Sequence, residues 1–333
     1  MSVDLAILLI TIALGLTFDF INGFHDTANA IATVVATRVL SPGRAVLMAG
    51  VLNFVGALSG TAVATTVGMG IIPPEISSQA LVISALIAAI VWNLVTWYFG
   101  LPSSSSHALI FSLVGAGVAT AGWSAIEFSG LQKTFQGLVL SPVLGFAAAF
   151  VAMVFLLNVF ARAFPATVTH IFGRAQLLSA AYMAFSHGSN DAQKTMGVMT
   201  MALATYLHWG GTDWQVPLWI IVGAATAMGL GTSIGGWRII RTVGLRVVQL
   251  RPIHGFAAET AAATVIEFAS RLGIPVSTTH TISTAIMGVG ATRRLSAVRW
   301  GIAGQIVLGW VLTIPACFVL AWCVRSLIGL VGG

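Results

Sequence analysis

Charge is what this 333-residue chain has least of: 15 Lys and Arg with 9 Asp and Glu make up 7% of it, where a soluble domain carries about a quarter. With 57% apolar residues the chain belongs in a bilayer. At about 20 apolar residues per span there is room for roughly ten to twelve helices and little for any soluble domain, which excludes a soluble enzyme held by a membrane anchor. A net charge of +6 in a soluble protein would suggest nucleic acid. In this composition the basic residues are topology signals instead, and no nucleic-acid partner is expected. Cysteine is nearly absent: Cys317 and Cys323 are neither at metal-ligand spacing nor placed to face each other, and they read as packing residues. No Lys- or Arg-rich segment precedes the first apolar stretch, which runs on into polar motif residues and so reads as a membrane segment rather than a cleaved signal.

What is present is a duplication. GFHDTANAIATVV (23–35) aligns with GSNDAQKTMGVMT (188–200) at an offset of 165, placing Phe20 on Phe185, Asp26 on Asp191 and Asn29 on Lys194. GLPSSSSHALIFSLVGAG (100–117) aligns with GIPVSTTHTISTAIMGVG (273–290) at an offset of 173, where Gly100, Pro102, Ser104, His107, Gly115 and Gly117 meet Gly273, Pro275, Ser277, His280, Gly288 and Gly290. The chain is expected to divide into a transmembrane repeat over 1–165 and a second over 166–333.

Arginines fall in four groups: Arg38 and Arg44; Arg162 and Arg174; Arg238, Arg241, Arg246 and Arg251; Arg293, Arg294 and Arg299. Taken as cytoplasmic, these connections alternate with poorly basic ones near Glu75, near Glu127 and Lys133, and near Asp213. Ten crossings follow, near 5–37, 45–72, 80–99, 103–121 and 137–160, then 176–205, 216–236, 255–272, 276–291 and 300–324. Five per half makes the repeats inverted, an arrangement common among secondary transporters. Arg271 falls alone on the outer side, where Glu267 four residues earlier offers a partner. Segments 5–37 and 176–205 are long and interrupted by Gly, His, Asn and Asp, and are expected to be broken helices. Segments 100–107 and 273–280 read as re-entrant hairpins. Backbone that leaves helix at membrane depth must line a cavity or lie within protein, so the four interruptions point to one central site. The fold class is thus all-α and polytopic, with two inverted repeats, broken helices, helical hairpins and about ten to twelve membrane segments.

Asp26 and Asp191 are intramembrane carboxylates, functional candidates because uncompensated burial is costly; they suit a cation, or helix capping. The hydroxyl runs Ser103, Ser104, Ser105, Ser106 and Ser277, Thr278, Thr279 follow proline and precede helices. Two helix N-termini meeting at mid-membrane make an anion site. Lys194, one of two lysines, stands where the first half has Asn29; it is placed to contact the anion, to act as a fixed cation, or to pair with Asp191. Glu259 and Glu267 are candidates to accept a proton from a partly protonated oxyanion, or to pair with Arg251 or Arg271. His25, His107, His187 and His280 accompany the four motifs, with His25 a candidate proton relay. No HExxH-type spacing occurs, so neither a catalytic residue nor a bound metal is expected. Trp97, Trp123, Trp209 and Trp214 read as interfacial anchors.

At NGFHDTANAIATVV, WNLVTWYFGLPSSSSHALI, AFSHGSNDAQKTMG and IPVSTTHTIS the chain resembles the inorganic phosphate transporter (PiT) family, along essentially its whole length. The resemblance implies cation-coupled uptake of inorganic phosphate by an inverted-repeat carrier, described with twelve membrane segments when half-helices are counted. It places Asp26, Asn29, Asn190 and Asp191 at the cation and substrate positions, and Ser104 to Ser106 and Ser277 to Thr279 on phosphate-facing hairpins. Three features depart from the family pattern. His25 stands in Gly23-Phe24-His25-Asp26 where members often have Gly-Ala-Asn-Asp, Asn53 stands near a glutamate of many eukaryotic members, and only residues 161–176 connect the halves. The expected protein is a non-enzymatic symporter of a bacterial inner membrane, a homodimer in lipid, whose partners are phosphate and H+ or Na+, with no cofactor besides that coupling ion. Sulfate or metal–phosphate symport, and an anion channel, are the alternatives.

Overall fold

The computed structural model describes residues 2–209 and 214–332; Asp213, assigned above to an outer connection, lies outside them. Among the described residues the regular structure is helical: α1 (Val3–Ala36), α2 (Pro42–Ala57), α3 (Ala62–Gly70), α4 (Gln79–Phe99), α5 (Ser105–Ala121), α6 (Phe128–Val159), α7 (Pro165–Leu207), α8 (Leu218–Ile234), α9 (Trp237–Arg241), α10 (Pro252–Arg271), α11 (Thr278–Ala291) and α12 (Trp300–Gly332), with a π-helical turn Thr242–Arg246 after α9.

The breaks are not all where the polar residues suggested. α1 and α7 are continuous over 34 and 43 residues, because the motif side chains find partners on neighbouring helices and leave the backbone ladder intact. The chain bends instead by 69° between α2 and α3 and by 60° between α8 and α9. The two hairpins are present. α4 ends at Gly100, φ +66°, and α10 is followed by Gly273, φ +65°, the left-handed conformation that favours glycine at a helix end. Pro102 and Pro275 then keep the chain extended. They precede the next helices rather than opening them: the N-caps are Ser104 and Ser277, whose Oγ atoms accept from His107 N and His280 N, each at 3.2 Å.

Ten crossings were expected. Among the described residues five helices are long and apolar enough to span alone, and the bent pairs α2–α3 and α8–α9 raise that to seven. α7, α10 and α11 fall short by this measure: α7 and α10 carry ionisable side chains at mid-length, and α11 has 14 residues, so polarity and length hide them from hydropathy.

Two apolar cores lie either side of a polar layer. α1 contributes Leu8, Ile12 and Phe18 to the first and Ala28, Ile31 and Val34 to the second; α7 contributes Met183 and Ala184 to the second and Met196, Met199 and Leu203 to the first. The two long helices therefore pass through the cores in opposite order, as inverted repeats require. Lipid supplies no hydrophobic drive for helices to pair, and small residues let backbones approach. These contacts recur with the halves exchanged. A Cβ on Gly56 would strike the Phe185 carbonyl and one on Gly231 the Phe20 carbonyl; Gly115 lies against Phe318, and Gly288 against Phe146. A third sequence repeat explains another pair: Thr66-Val67-Gly68-Met69 matches Thr242-Val243-Gly244-Leu245. Thr66 Oγ1 donates to the Gly273 carbonyl at 2.6 Å and Thr242 Oγ1 to the Gly100 carbonyl at 3.2 Å.

Of the expected anchors, Trp123 is exposed. Trp97 packs edge-on against Phe24 at 5.3 Å, and Trp209 and Trp214 pack on the first core, because close helix neighbours cover them. Cys317 is buried and Cys323 exposed, and both are free.

Candidate functional site

The polar layer is where α1, α7 and the tips of both hairpins meet. Ser277 Oγ donates to Ser104 Oγ at 2.8 Å, so the caps of α5 and α11 touch. The first-turn N–H groups of a helix have no intrahelical acceptor, and here two such ends converge with their partial positive charge. His107 and His280 lie behind them with ring centroids 4.5 Å apart, and His280 stacks on Trp310 at 3.8 Å.

The first hairpin reaches Asp26, and the second reaches both carboxylates. Ser105 Oγ donates to Asp26 Oδ2 at 2.8 Å, and Thr278 Oγ1 donates to Asp191 Oδ2 at 2.8 Å. Thr279 Oγ1 adds a longer bond to Asp26 Oδ2 at 3.4 Å and accepts from Asn29 Nδ2 at 2.9 Å. Asp26, His187 and Asp191 each place a ligand atom within 4.8 Å of the others, and all three are buried. Two carboxylates this close in a low-dielectric interior repel strongly unless a cation or proton intervenes.

The two aspartates are neutralised differently. Lys194 forms an ion pair with Asp191 Oδ1, and its ammonium also donates to Ser106 Oγ at 2.6 Å and to the Val276 carbonyl at 2.8 Å. With three N–H groups and three acceptors, Lys194 is a saturated, fixed cation. Asp26 has Asn29 in the corresponding position and His25 Nδ1 at 2.6 Å from Oδ1. His25 takes the place of Asn190: its Nε2 meets Thr96 Oγ1 at 2.9 Å on α4, as Asn190 Nδ2 meets Ser270 Oγ at 2.7 Å on α10. The family departure at His25 thus conserves a helix-to-helix bond while adding a titratable ring.

His187 was not singled out in the sequence beyond its place in a motif. Asn53 Nδ2 donates to Thr232 Oγ1 at 2.9 Å, leaving Asn53 Oδ1 to accept from His187 Nδ1 at 2.9 Å. Nε2 then faces Asp191 Oδ2 3.2 Å away: carrying a hydrogen it donates to the carboxylate, and without one it sets a lone pair against it. In the second case a cation or proton between them would remove the repulsion. Asp19 was missed altogether. It is fully buried, accepts from Thr195 Oγ1 at 2.9 Å, and has Oδ2 unpartnered. It lies two turns from Asp26 on the same face of α1, so helical periodicity was the available signal. Its repeat counterpart is Ala184, which made it invisible to a search for symmetry.

Glu259 and Glu267 are not brought to this cluster. Glu259 accepts from Thr33 and Ser179 and, at 3.1 Å, from Gln176, two turns along α1 from Asp26. Glu267 pairs with Arg271 at 2.9 Å and accepts from Ser189 at 3.0 Å. Both are satisfied by neighbours on α1 or α7 or by the next turn of α10, and neither meets the hairpin hydroxyls.

The chain matches the model described as "Phosphate transporter family" over residues 22–166 and 158–321. It is 50% identical over 313 residues to the "probable low-affinity inorganic phosphate transporter" of Rhizobium meliloti, covering 93% of each chain. Identity to the protein of the same name in Bacillus subtilis is 45% over 318 residues, 95% of each. A solved structure described as "The sodium-dependent phosphate transporter" superposes with a TM-score of 0.88 at 26% identity, over 98% of this chain and 99% of the other.

Proposed function

Because the chain belongs to the phosphate transporter family, we propose that it takes up inorganic phosphate by symport with H+ or Na+, exposing one mid-membrane site alternately to either side. Its apolar helices make it an integral membrane protein, of the plasma membrane in a bacterium. The observation that carries the proposal is the buried set Asp26, His187 and Asp191 with ligand atoms within 4.8 Å, beside hydroxyls from two converging helix N-termini. Two carboxylates against one fixed ammonium leave a net negative site. An anion does not enter such a site in low dielectric unaccompanied. The cation therefore belongs at Asp26, Asp191 and His187, with Asn29 and Asn190 bracing them. The anion belongs at Ser104 to Ser106 and Ser277 to Thr279, where N–H and O–H groups donate. Lys194 holds the hairpin tip in place and supplies one permanent positive charge. The symmetry of α1–α6 with α7–α12 supports a division at 165/166 into inverted repeats whose exchange of conformation reorients the site.

Radiolabelled phosphate uptake into proteoliposomes, driven separately by sodium and proton gradients with sulfate and arsenate as competitors, tests this. Stimulation by one gradient, with competition by arsenate and not sulfate, is the expected result. Indifference to both gradients, or conductance far above carrier turnover, would sink it.

A further inference from the structure

A cavity of about 330 Å³ lies at the arginine-rich face between the end of α6, the connection joining the halves, the start of α10 and the turn after α11. Its polar side is Arg251, His254 and Arg293; its opposite wall is apolar, with Met153, Leu157 and Phe160. His254 is 6% exposed. Its Nδ1 accepts from Arg251 N at 3.2 Å, so the neutral ring carries its hydrogen on Nε2, and the Gln249 backbone is also within reach of the ring. The N-terminus of a 20-residue helix adds its dipole. Neither guanidinium forms an ion pair with a carboxylate among the described residues.

The repeat does not dictate these charges. At the same offset of 173 the first repeat has Ser78, Leu81 and Thr120 in place of Arg251, His254 and Arg293. Topology requires positive residues on this face, but not that they converge on a cavity with a greasy wall. A guanidinium pair suits a phosphate group, and the apolar wall, open to the lipid-facing surface at Leu157, 42% exposed, suits an acyl chain. We propose that this cavity holds the headgroup phosphate of an anionic phospholipid of the cytoplasmic leaflet, clamping the junction between the halves. Basic pockets between helices on this side of a membrane are suited to such headgroups.

The test is the thermal unfolding midpoint of the purified full-length protein titrated with phosphatidylglycerol, phosphatidylcholine or inorganic phosphate. Wild type and the control Arg241→Gln/Arg246→Gln, which removes two arginines from the same face, are expected to respond to phosphatidylglycerol and not to phosphatidylcholine. Arg251→Gln/Arg293→Gln should need about thirty-fold more phosphatidylglycerol for the same shift while keeping its response to inorganic phosphate. Leu157→Trp, which fills the wall and keeps the charges, should weaken the lipid response as well, which guards against misfolding of the double variant. An unchanged phosphatidylglycerol response in both variants, or equal action of phosphatidylcholine, overturns the proposal. Selective loss of the inorganic phosphate response would assign the cavity to free phosphate and overturn it too.

Discussion

Asp26 and Asp191 occupy equivalent places in the two halves, accept equivalent hydroxyl bonds of 2.8 Å from the hairpins and each have an imidazole beside them, yet the second also has a fixed ammonium where the first half has the amide of Asn29. Under the proposed symport, one half carries its cation covalently, as Lys194, and the other would borrow it from solution. Symmetric geometry with asymmetric charge gives a site that is nearly neutral on one side and short of a positive charge on the other. Under that proposal a coupling ion would have one preferred address rather than two.

The comparison breaks most sharply at the ion pair. Asp191→Asn strands the Lys194 ammonium and should destabilise the protein by about 3–5 kcal/mol, whereas Asp26→Asn should abolish gradient-driven uptake with a much smaller change in stability. Unfolding midpoints together with proteoliposome uptake separate the two; equal destabilisation would mean that the halves are not electrostatically distinct. Lys194→Asn copies the first half into the second. Its stability should become more strongly cation-dependent than the wild type's, rising further with added sodium or falling pH as expected when a ligand binds only the folded state, and its uptake should depend more steeply on the cation. Where the halves are alike, the effects should match: Gly56→Ala and Gly231→Ala each force a methyl against a facing carbonyl and should cost about 1–3 kcal/mol, within error of each other. The smallest effect belongs to the caps. Ser104→Ala and Ser277→Ala should cost about 1 kcal/mol each, and the double variant less than their sum, since the two hydroxyls bond to each other.

The fold class, the repeats and the four motifs were legible because glycine, proline and hydroxyl residues at matched offsets carry backbone meaning. The continuity of α1 and α7 was not legible. Gly23, Asn29 and Asp26 look like helix breakers in isolation, but Thr278, Thr279 and Ser105, distant in the chain, provide bonding partners for the polar pair. The real bends at Leu58–Thr61 and Gly235–Gly236 carry less polarity and so leave a weaker signal in the sequence. Asp26, Asp191 and the hairpins came from pattern, whereas Asp19 and the Asn53–His187 bond depend on which helices pack together. Glu259 looked like a site residue because it is an acid in an apolar segment, and only its three partners on α1 and α7 locate it elsewhere.

The opposed passage of α1 and α7 through the two cores bears on ancestry. A six-helix chain equivalent to α1–α6 would leave the Ala28–Val34 end of its first helix without much of the core it packs into, and its Gly56 without the carbonyl it rests on. Such a chain reaches this packing only by meeting a copy of itself inserted upside down. A progenitor of that kind must tolerate both orientations, which demands nearly balanced charge at its two faces. One polypeptide carries no such demand: arginine can gather on a single side, and Arg251 and Arg293 stand where the first half has Ser78 and Thr120.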